Sequence, residues 1–579
     1  MSTNDWSVFG ENADAPFTLK IHRGESMALL AMNWREGKPP EDFVGFAIEY
    51  KEPGGSRFFA LKNRLSFPGV TRDERGLSTL LSPIQKFRWV HFPRNAELTG
   101  EFTYQVTPVF MDSEDELRYG APQMASIRLG LQTYDGELNV AFTRGYVSSQ
   151  KFARTYLADG NGVSSLIPAK AKDGLSFKPT HPKANEALRW MGFEARNIVL
   201  GIVDEALADP NAQVSVIAYE LNEPELLSRL VKLGPRLRII IDNSAEHHHD
   251  DSAESIAAQL LIGSAGKSSV VRQKMGALQH NKTIIVDGPH CQAVVCGSTN
   301  FSWRGFFIQA NNAMLIRGAT AVKVFGDAFN TYFNSDDDPN VVRKSKVAGW
   351  TKLGLPSVRA TVTFSPHNSS NAVLDSIGTH VRKQTKSSVL FALAFLYQTK
   401  GAMRDAIESL TESPSVFVYG MSDKDSGIDL QQANGHMAVV QPSVLSDDVP
   451  EPFAKEVAGG GGIRLHHKFI VTDFDTDDAR VYMGSFNFSK AADLDNGENL
   501  LVIKNRRVAT AYMVEAIRIF DHYEYRVRNA AAKGKGARLG LKRPPRAANE
   551  RPWWYEDWTQ PLKIRDRELF SKAERYSED

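Results

Sequence analysis

Two distant stretches of this chain carry the same polar residues at the same spacing. Q-H-N-K-T-I-I-V-D-G, Gln279 to Gly288, is followed by G-S-T-N-F-S, Gly297 to Ser302. H-H-K-F-I-V-T-D, His466 to Asp473, is followed by G-S-F-N-F-S, Gly484 to Ser489. Both read H-x-K, four apolar or small residues, D, nine or ten residues, then G-S-x-N-F-S. Gly297 to Ile316 aligns without gaps on Gly484 to Ile503. A repeat of this kind means that one architecture is built twice, which constrains the fold more than composition does. Around each copy, helical periodicity alternates with buried strands. Helices are expected at 185–208 and 223–232, with strands Q-V-S-V-I-A-Y-E and R-L-R-I-I-I-D. The second series has helices at 372–383 and 401–410, with strands S-V-L-F-A-L-A-F and S-V-F-V-Y-G. Each series predicts an α/β unit, a mixed, mostly parallel sheet with flanking helices.

The rest of the chain reads differently. Residues 1–14 are polar and expected to be loose. Residues 15–144 show short alternating runs split by turn residues, among them F-T-L-K-I-H-R and G-E-L-N-V-A-F, which predict an antiparallel β-sandwich. Within it, E-L-T-G-E-F-T-Y-Q-V resembles the tyrosine corner of fibronectin type III and immunoglobulin sandwiches, with Tyr104 at the corner. The expected order is therefore the sandwich, an α/β repeat at 145–350, a second at 351–530, and a basic and aromatic segment at 531–579. Nine Arg or Lys and one acid lie between Arg526 and Arg551, followed by W-W-Y-E-D-W. Such a segment is either solvated or a surface for phosphates and stacked bases.

A chain of 579 residues exceeds a single core, and its net charge of +1 confines any attraction for polyanions to local patches. Two cysteines, Cys291 and Cys296, rule out a disulfide scaffold. The first residues lack the basic and apolar pattern of a signal peptide, and no apolar run reaches membrane-spanning length. The expectation is a cytoplasmic protein, with signal-less export as the alternative.

In H-x-K on a strand, His and Lys point to one face, and G-S-x-N repeats the device for Ser and Asn. Asn281 and His467 point to the other face, as packing or hydrogen-bonding residues. Two halves facing each other would assemble His280, Lys282, Ser298 and Asn300 with His466, Lys468, Ser485 and Asn487. Lysines and amide or hydroxyl donors in that number suit the non-bridging oxygens of a phosphodiester. The motif carboxylates Asp287 and Asp473 sit at odd spacing from the lysines and read as structural.

The doubled motif resembles that of the phospholipase D superfamily, over roughly residues 150–530. The resemblance implies a two-step, metal-independent hydrolysis through a phosphohistidine, with no cofactor. It also implies that the position held by Asn311 in the first copy and Glu498 in the second contacts an active histidine. A carboxylate there favours imidazolium and an amide does not. His280 is therefore expected as nucleophile, and His466, supported by Glu498, as general acid and then base. The amide and carboxylate combination is similar to that of tyrosyl-DNA phosphodiesterases.

Other candidates have plainer readings. H-H-H-D-D, His247 to Asp251, is expected to be a solvated loop near the pocket mouth rather than a metal site. Gly459 to Gly462 reads as a loop end. Trp303, Phe306 and Phe307 suit an acyl-chain entrance, a base-stacking surface or plain core. The second copy looks most like small bacterial nucleases of the superfamily. With the basic segment, that favours nucleic acid as substrate, with glycerophospholipid as the alternative. The sandwich is expected to position a substrate or an unknown protein partner. Both copies lie in one chain, so dimerisation is not required for chemistry.

Overall fold

The structure is a computed structural model. It describes residues 5–70, 76–130, 132–145, 152–157, 162–394, 396, 401–413, 415–424, 427–431, 437–440 and 465–572. The chain forms two compact units, one of residues 1–131, 431–436 and 510–579, the other of residues 132–430 and 437–509.

Among the described residues, the first unit contains two larger antiparallel sheets and a two-stranded ribbon of Lys62–Asn63 with Leu77–Ser78. One has four strands, in the order Ser7–Phe9, Phe17–Arg23, Ala28–Trp34 and Arg88–His91. The other is built on Glu101–Met111, which pairs with Phe43–Lys51 on one side and with Leu117–Tyr119 and Gln123–Arg128 on the other. The alternation seen in sequence has a plain cause. Phe17, Leu19 and Ile21 from one sheet and Phe102, Tyr104 and Val106 from the other enter a single apolar cluster. Ser7–Phe9 pairs with Phe17–Arg23, so the expected loose stretch of residues 1–14 contains a strand. Tyr104 lies in the middle of its strand, and its hydroxyl meets Nδ1 of His91 at 3.1 Å.

The C-terminal aromatics belong to the same core. Trp554 is buried, and Trp553 and Trp558 pack against the cluster. Trp553 stacks on Phe87 at 5.0 Å and donates its indole N–H to the Phe43 carbonyl at 3.0 Å. Neither of the two readings of this segment, solvated or base-stacking, describes these indoles, which lie in or against the core. Such large apolar surfaces gain more from a core than from solvent. Part of the basic character is also spent locally, since Arg543 and Arg546 both pair with Asp115.

The second unit holds a seven-stranded and a nine-stranded sheet. The first runs Leu138–Phe142, Asn312–Arg317, Gln292–Gly297, Lys282–Asp287, Gln213–Ala218, Leu237–Asp242 and Val270–Gln273. The second contains, in matching order, Arg359–Ser365, Glu498–Lys504, Arg480–Gly484, Lys468–Thr472, Ser388–Ala394 and Phe417–Lys424. Helices Ala184–Ala208, Pro224–Leu233, Leu374–Gln384 and Ala402–Thr411 fall where the periodicity put them.

Two expectations change. The sheets are mixed but mostly antiparallel: in the first, only Gln213–Ala218 with Leu237–Asp242 and the latter with Val270–Gln273 are parallel. The H-x-K and G-S-x-N strands are joined by a short connection, which forces a hairpin. G-E-L-N-V-A-F, expected in the N-terminal strands, belongs to the second unit instead, because Leu138–Phe142 pairs with Asn312–Arg317. Alternation marks a half-buried strand without naming its sheet. Among the described residues, no helix is long and apolar enough to cross a membrane.

Candidate active site

The site is assembled by two strand hairpins that meet in the second unit. Gly297 and Gly484 open the G-S-x-N turns with φ of 145° and 148°. A Cβ on Gly297 would meet the Asn312 carbonyl oxygen, and one on Gly484 would meet that of Asn499. Glycine thus lets each turn press against the next strand. Ser298 Oγ accepts from the Asn312 amide at 3.0 Å, and Ser485 Oγ from the Asn499 amide at 3.0 Å. The motif serines pin their turns. Among the described residues, Asn300 Oδ1 and Asn487 Oδ1 are buried without a hydrogen-bond partner, so each oxygen can accept a bond from a ligand.

The halves join crosswise. His280 N–H donates to the Gly497 carbonyl at 2.9 Å, and His466 N–H donates to the Ala310 carbonyl at 3.1 Å. Asn499 donates to Asn281 Oδ1 at 2.7 Å, while His467 Nδ1 lies 3.4 Å from Asn312 Nδ2. The imidazoles of His280 and His466 are 6.4 Å apart, both buried, with Lys282 and Lys468 buried beside them.

The crossing corrects one sequence-based assignment. Glu498 Oε2 lies 2.8 Å from His280 Nδ1, so the carboxylate supports His280, not His466. His466 Nδ1 faces Asn311 Oδ1 at 2.8 Å and the Ser298 carbonyl at 3.1 Å. Each copy orients the histidine of the other. In both rings Nδ1 faces an oxygen acceptor and therefore carries the proton, which leaves Nε2 to act.

Burial dominates the electrostatics. It holds His280 down at about 4, against an upward pull from Glu498. Burial and the neighbouring Lys468, Lys282 and His280 hold His466 well below its ordinary value. Lys282 falls to about 7, and Lys468 well below its usual range, with burial the first cause in each. Glu498 stays low despite burial because His280, Lys282 and Ser485 stabilise its anion. Lys468 Nζ lies within hydrogen-bond distance of His466 Nε2, at 3.0 Å. Four basic groups around one carboxylate form a site matched to an anion.

The remaining candidates lie elsewhere. Asp473 accepts from the Ser387 amide at 2.7 Å and the Lys386 amide at 3.0 Å, and Asp287 is exposed at its strand end beside Gln292. Trp303, Phe306 and Phe307 are buried core, and the Trp303 indole donates to the Gly174 carbonyl. Cys291 and Cys296 are buried free thiols. Gly459 to Gly462 lies outside the described residues.

Sequence reasoning passed over Tyr219. Its ring lies 4.6 Å from His280, with Lys282 Nζ 4.5 Å from the ring centre. The only signal was its place at the end of a buried strand beside the motif strand, Gln213–Ala218 against Lys282–Asp287. Glu220, which accepts from Ser302 Oγ at 2.5 Å, was likewise missed.

Residues 203–333 and 383–520 match the family described as cardiolipin synthase, PLD-like domain. A phospholipase D from Rickettsia prowazekii is 33% identical over 119 residues, 18% of this chain and 55% of the relative. The chain thus spans about half the length of that relative. Phosphatidylserine synthase of Haemophilus influenzae aligns over 65% of this chain and 92% of its own, at 13% identity and a TM-score of 0.38. Nuc from Salmonella typhimurium, a phospholipase D family member, aligns over 24% of this chain and 87% of its own, at 24% identity and a TM-score of 0.20. Structural likeness that slight carries no conclusion here. The domain match and the sequence relative liken the region that holds the site to the phospholipase D superfamily.

Proposed function

We propose that the chain hydrolyses phosphodiesters without a metal, through a phosphohistidine on His280, and that its substrate is nucleic acid. The observation that carries the chemistry is the crossed set: two buried imidazoles each held through Nδ1 by the other copy, two lysines, one of them 3.0 Å from His466 Nε2, and one carboxylate on His280. A bound diester supplies the anion that this set lacks. Lys282, Lys468 and the amides of Asn300 and Asn487 hold its non-bridging oxygens.

Neutral His280 attacks phosphorus through Nε2. The phosphorus–oxygen bond to the leaving group breaks, and His466, protonated once the anion offsets its neighbours, gives that oxygen its proton. His466, now neutral, takes a proton from water. The resulting hydroxide displaces His280 Nε2 and frees the phosphate monoester.

The sequence rule that assigned the acid role to the carboxylate-paired histidine would now exchange the two. The nucleophile, however, gains positive charge as its bond to phosphorus forms, and Glu498 stabilises that charge. A carboxylate on Nδ1 also fixes the tautomer that attacks. His466, with neutral oxygens at Nδ1 and Lys468 beside Nε2, releases its proton more readily.

The resemblance of the second motif copy to bacterial nucleases supports the nucleic-acid reading. A glycerophospholipid is the second reading, favoured by the name of the rickettsial relative. Purified protein with EDTA, alongside His280→Ala, would be given labelled single- and double-stranded nucleic acid and, separately, phosphatidylcholine vesicles. Cleavage of nucleic acid alone upholds the first reading. Choline release alone replaces it, and metal-dependent cleavage of either refutes the mechanism.

A further inference from the structure

The H-H-H-D-D stretch does not behave as one loop. His248 and His249 are exposed, whereas the side chain of His247 is 15% exposed and built into its place. Its Nδ1–H donates to Asp242 Oδ2 at 2.8 Å. Its carbonyl accepts from Arg272 Nη2 at 2.5 Å and from Ser252 Oγ at 2.8 Å. Asp242 is fully buried, and its other oxygen accepts from the Gln279 amide at 2.7 Å, next to the nucleophile.

The imidazole of His247 packs on Tyr219 at 4.8 Å, and the same phenol ring meets His280 at 4.6 Å. A second carboxylate–imidazole pair therefore stands one aromatic ring from the reacting atoms. With Nδ1–H committed to Asp242, the edge bearing Nε2 is what the ring offers a ligand. Asp242, Glu254 and Glu220 draw its affinity for protons upward against the burial that lowers it. Protonation of the ring at Nε2 turns that edge into a donor to an anion.

We propose that His247, oriented by Asp242 and Tyr219, binds the phosphate next to the scissile one in a polynucleotide substrate. The inference rests on the phosphodiesterase reading and narrows its substrate to diesters that carry a second anionic group within reach of one aromatic ring. A charge-assisted bond of this kind acts on binding more than on the chemical step.

The test compares two substrates. Bis(4-nitrophenyl) phosphate has one diester and no flanking phosphate, and an oligothymidylate has several. His247→Asn keeps an amide donor near the Nδ1 position for Asp242 and removes Nε2. His247→Gln places an amide near the Nε2 position and serves as partial rescue. For H247N, KM for oligothymidylate is expected to rise about tenfold, with kcat on it and both constants for the small diester unchanged. H247Q should recover part of the loss.

Equal loss on both substrates, with or without a fall in Tm, would assign His247 a purely structural role and overturn the inference. So would no change on either. If the unaltered protein cleaves the small diester but not the oligonucleotide, the nucleic-acid reading itself fails. If it cleaves both, and the variants leave their ratio unchanged, only the His247 subsite fails.

Discussion

Replacing Glu498 with Gln tests the crossed arrangement most directly. Glu498 Oε1 accepts from Asn496 Nδ2 at 3.2 Å, while Oε2 faces His280 Nδ1 at 2.8 Å, with side-chain exposures of 0% and 5% for Glu498 and His280. In Glu498→Gln the amide oxygen keeps the bond from Asn496, and the new NH2 points at Nδ1. That group donates, so Nδ1 must accept and the proton moves to Nε2. The tautomer that attacks phosphorus is lost. The carboxylate's share alone is about 1.5–3 kcal/mol for a buried bond to a charged group, or roughly tenfold to a hundredfold in rate. Loss of the tautomer adds to this, and the corresponding change in a serine-protease triad costs about 10⁴ in kcat. We expect a fall in kcat of about 10³ to 10⁴, with KM nearly unchanged. Rapid-quench single turnover on a labelled diester, stopped in alkali to preserve phosphohistidine, should show slow formation of label on His280. The reasoning fails if Glu498→Gln stays within tenfold of the unaltered rate. It also fails if Asn311→Ala slows the covalent step more than Glu498→Gln does, or if the label maps to His466.

Four further outcomes are expected. Lys468→Met should abolish turnover yet raise unfolding stability by about 1–3 kcal/mol in denaturant titrations, because it removes a buried ammonium held among other cations. Between pH 6.5 and about 4, unfolded His280 binds more protons than folded His280. The protein should therefore lose stability as pH falls through that window, and His280→Gln should flatten the loss in melts at stepped pH. Inorganic phosphate should raise the Tm of the unaltered protein, and much less that of Lys282→Met, since it binds only the folded site. Trp554→Ala should cost about 3–5 kcal/mol in chemical denaturation of the first unit.

The motif residues were legible because their chemistry is written at a period of two. His280 with Lys282, and Ser298 with Asn300, share a face on any extended segment, whatever the rest of the chain does. Buried runs such as S-V-L-F-A-L-A-F were legible for a similar reason. The contacts of Glu498 and Asn311 were not. Each lies at the start of a strand or just before it, and which histidine it meets depends on how two sheets approach, a fact with no local signature. Strand direction was misread because apolar runs signal burial on both faces, and antiparallel hairpins can be buried as fully as parallel strands. His247 was hidden by its neighbours: a polar run looks solvated, and only the fold shows that one of three histidines turns inward to Asp242. W-W-Y-E-D-W carried its own hint, since three indoles in six residues exceed what a solvated tail would expose.

The makeup of the first unit bears on how the chain folds as it is made. His22 Nε2 meets the Phe570 carbonyl at 2.7 Å, Arg88 bonds Asp566 at 2.8 Å, and Trp554 sits in the cluster with Phe17 and Phe46. These strands thus find part of their core among residues translated long after them. While residues 132–509 are being synthesised, those strands must wait with apolar surface uncovered, and chaperone attention should concentrate there. Stalling translation just short of Trp553 would leave His280 and His466 fully translated and the first unit still without Trp553, Trp554 and Trp558.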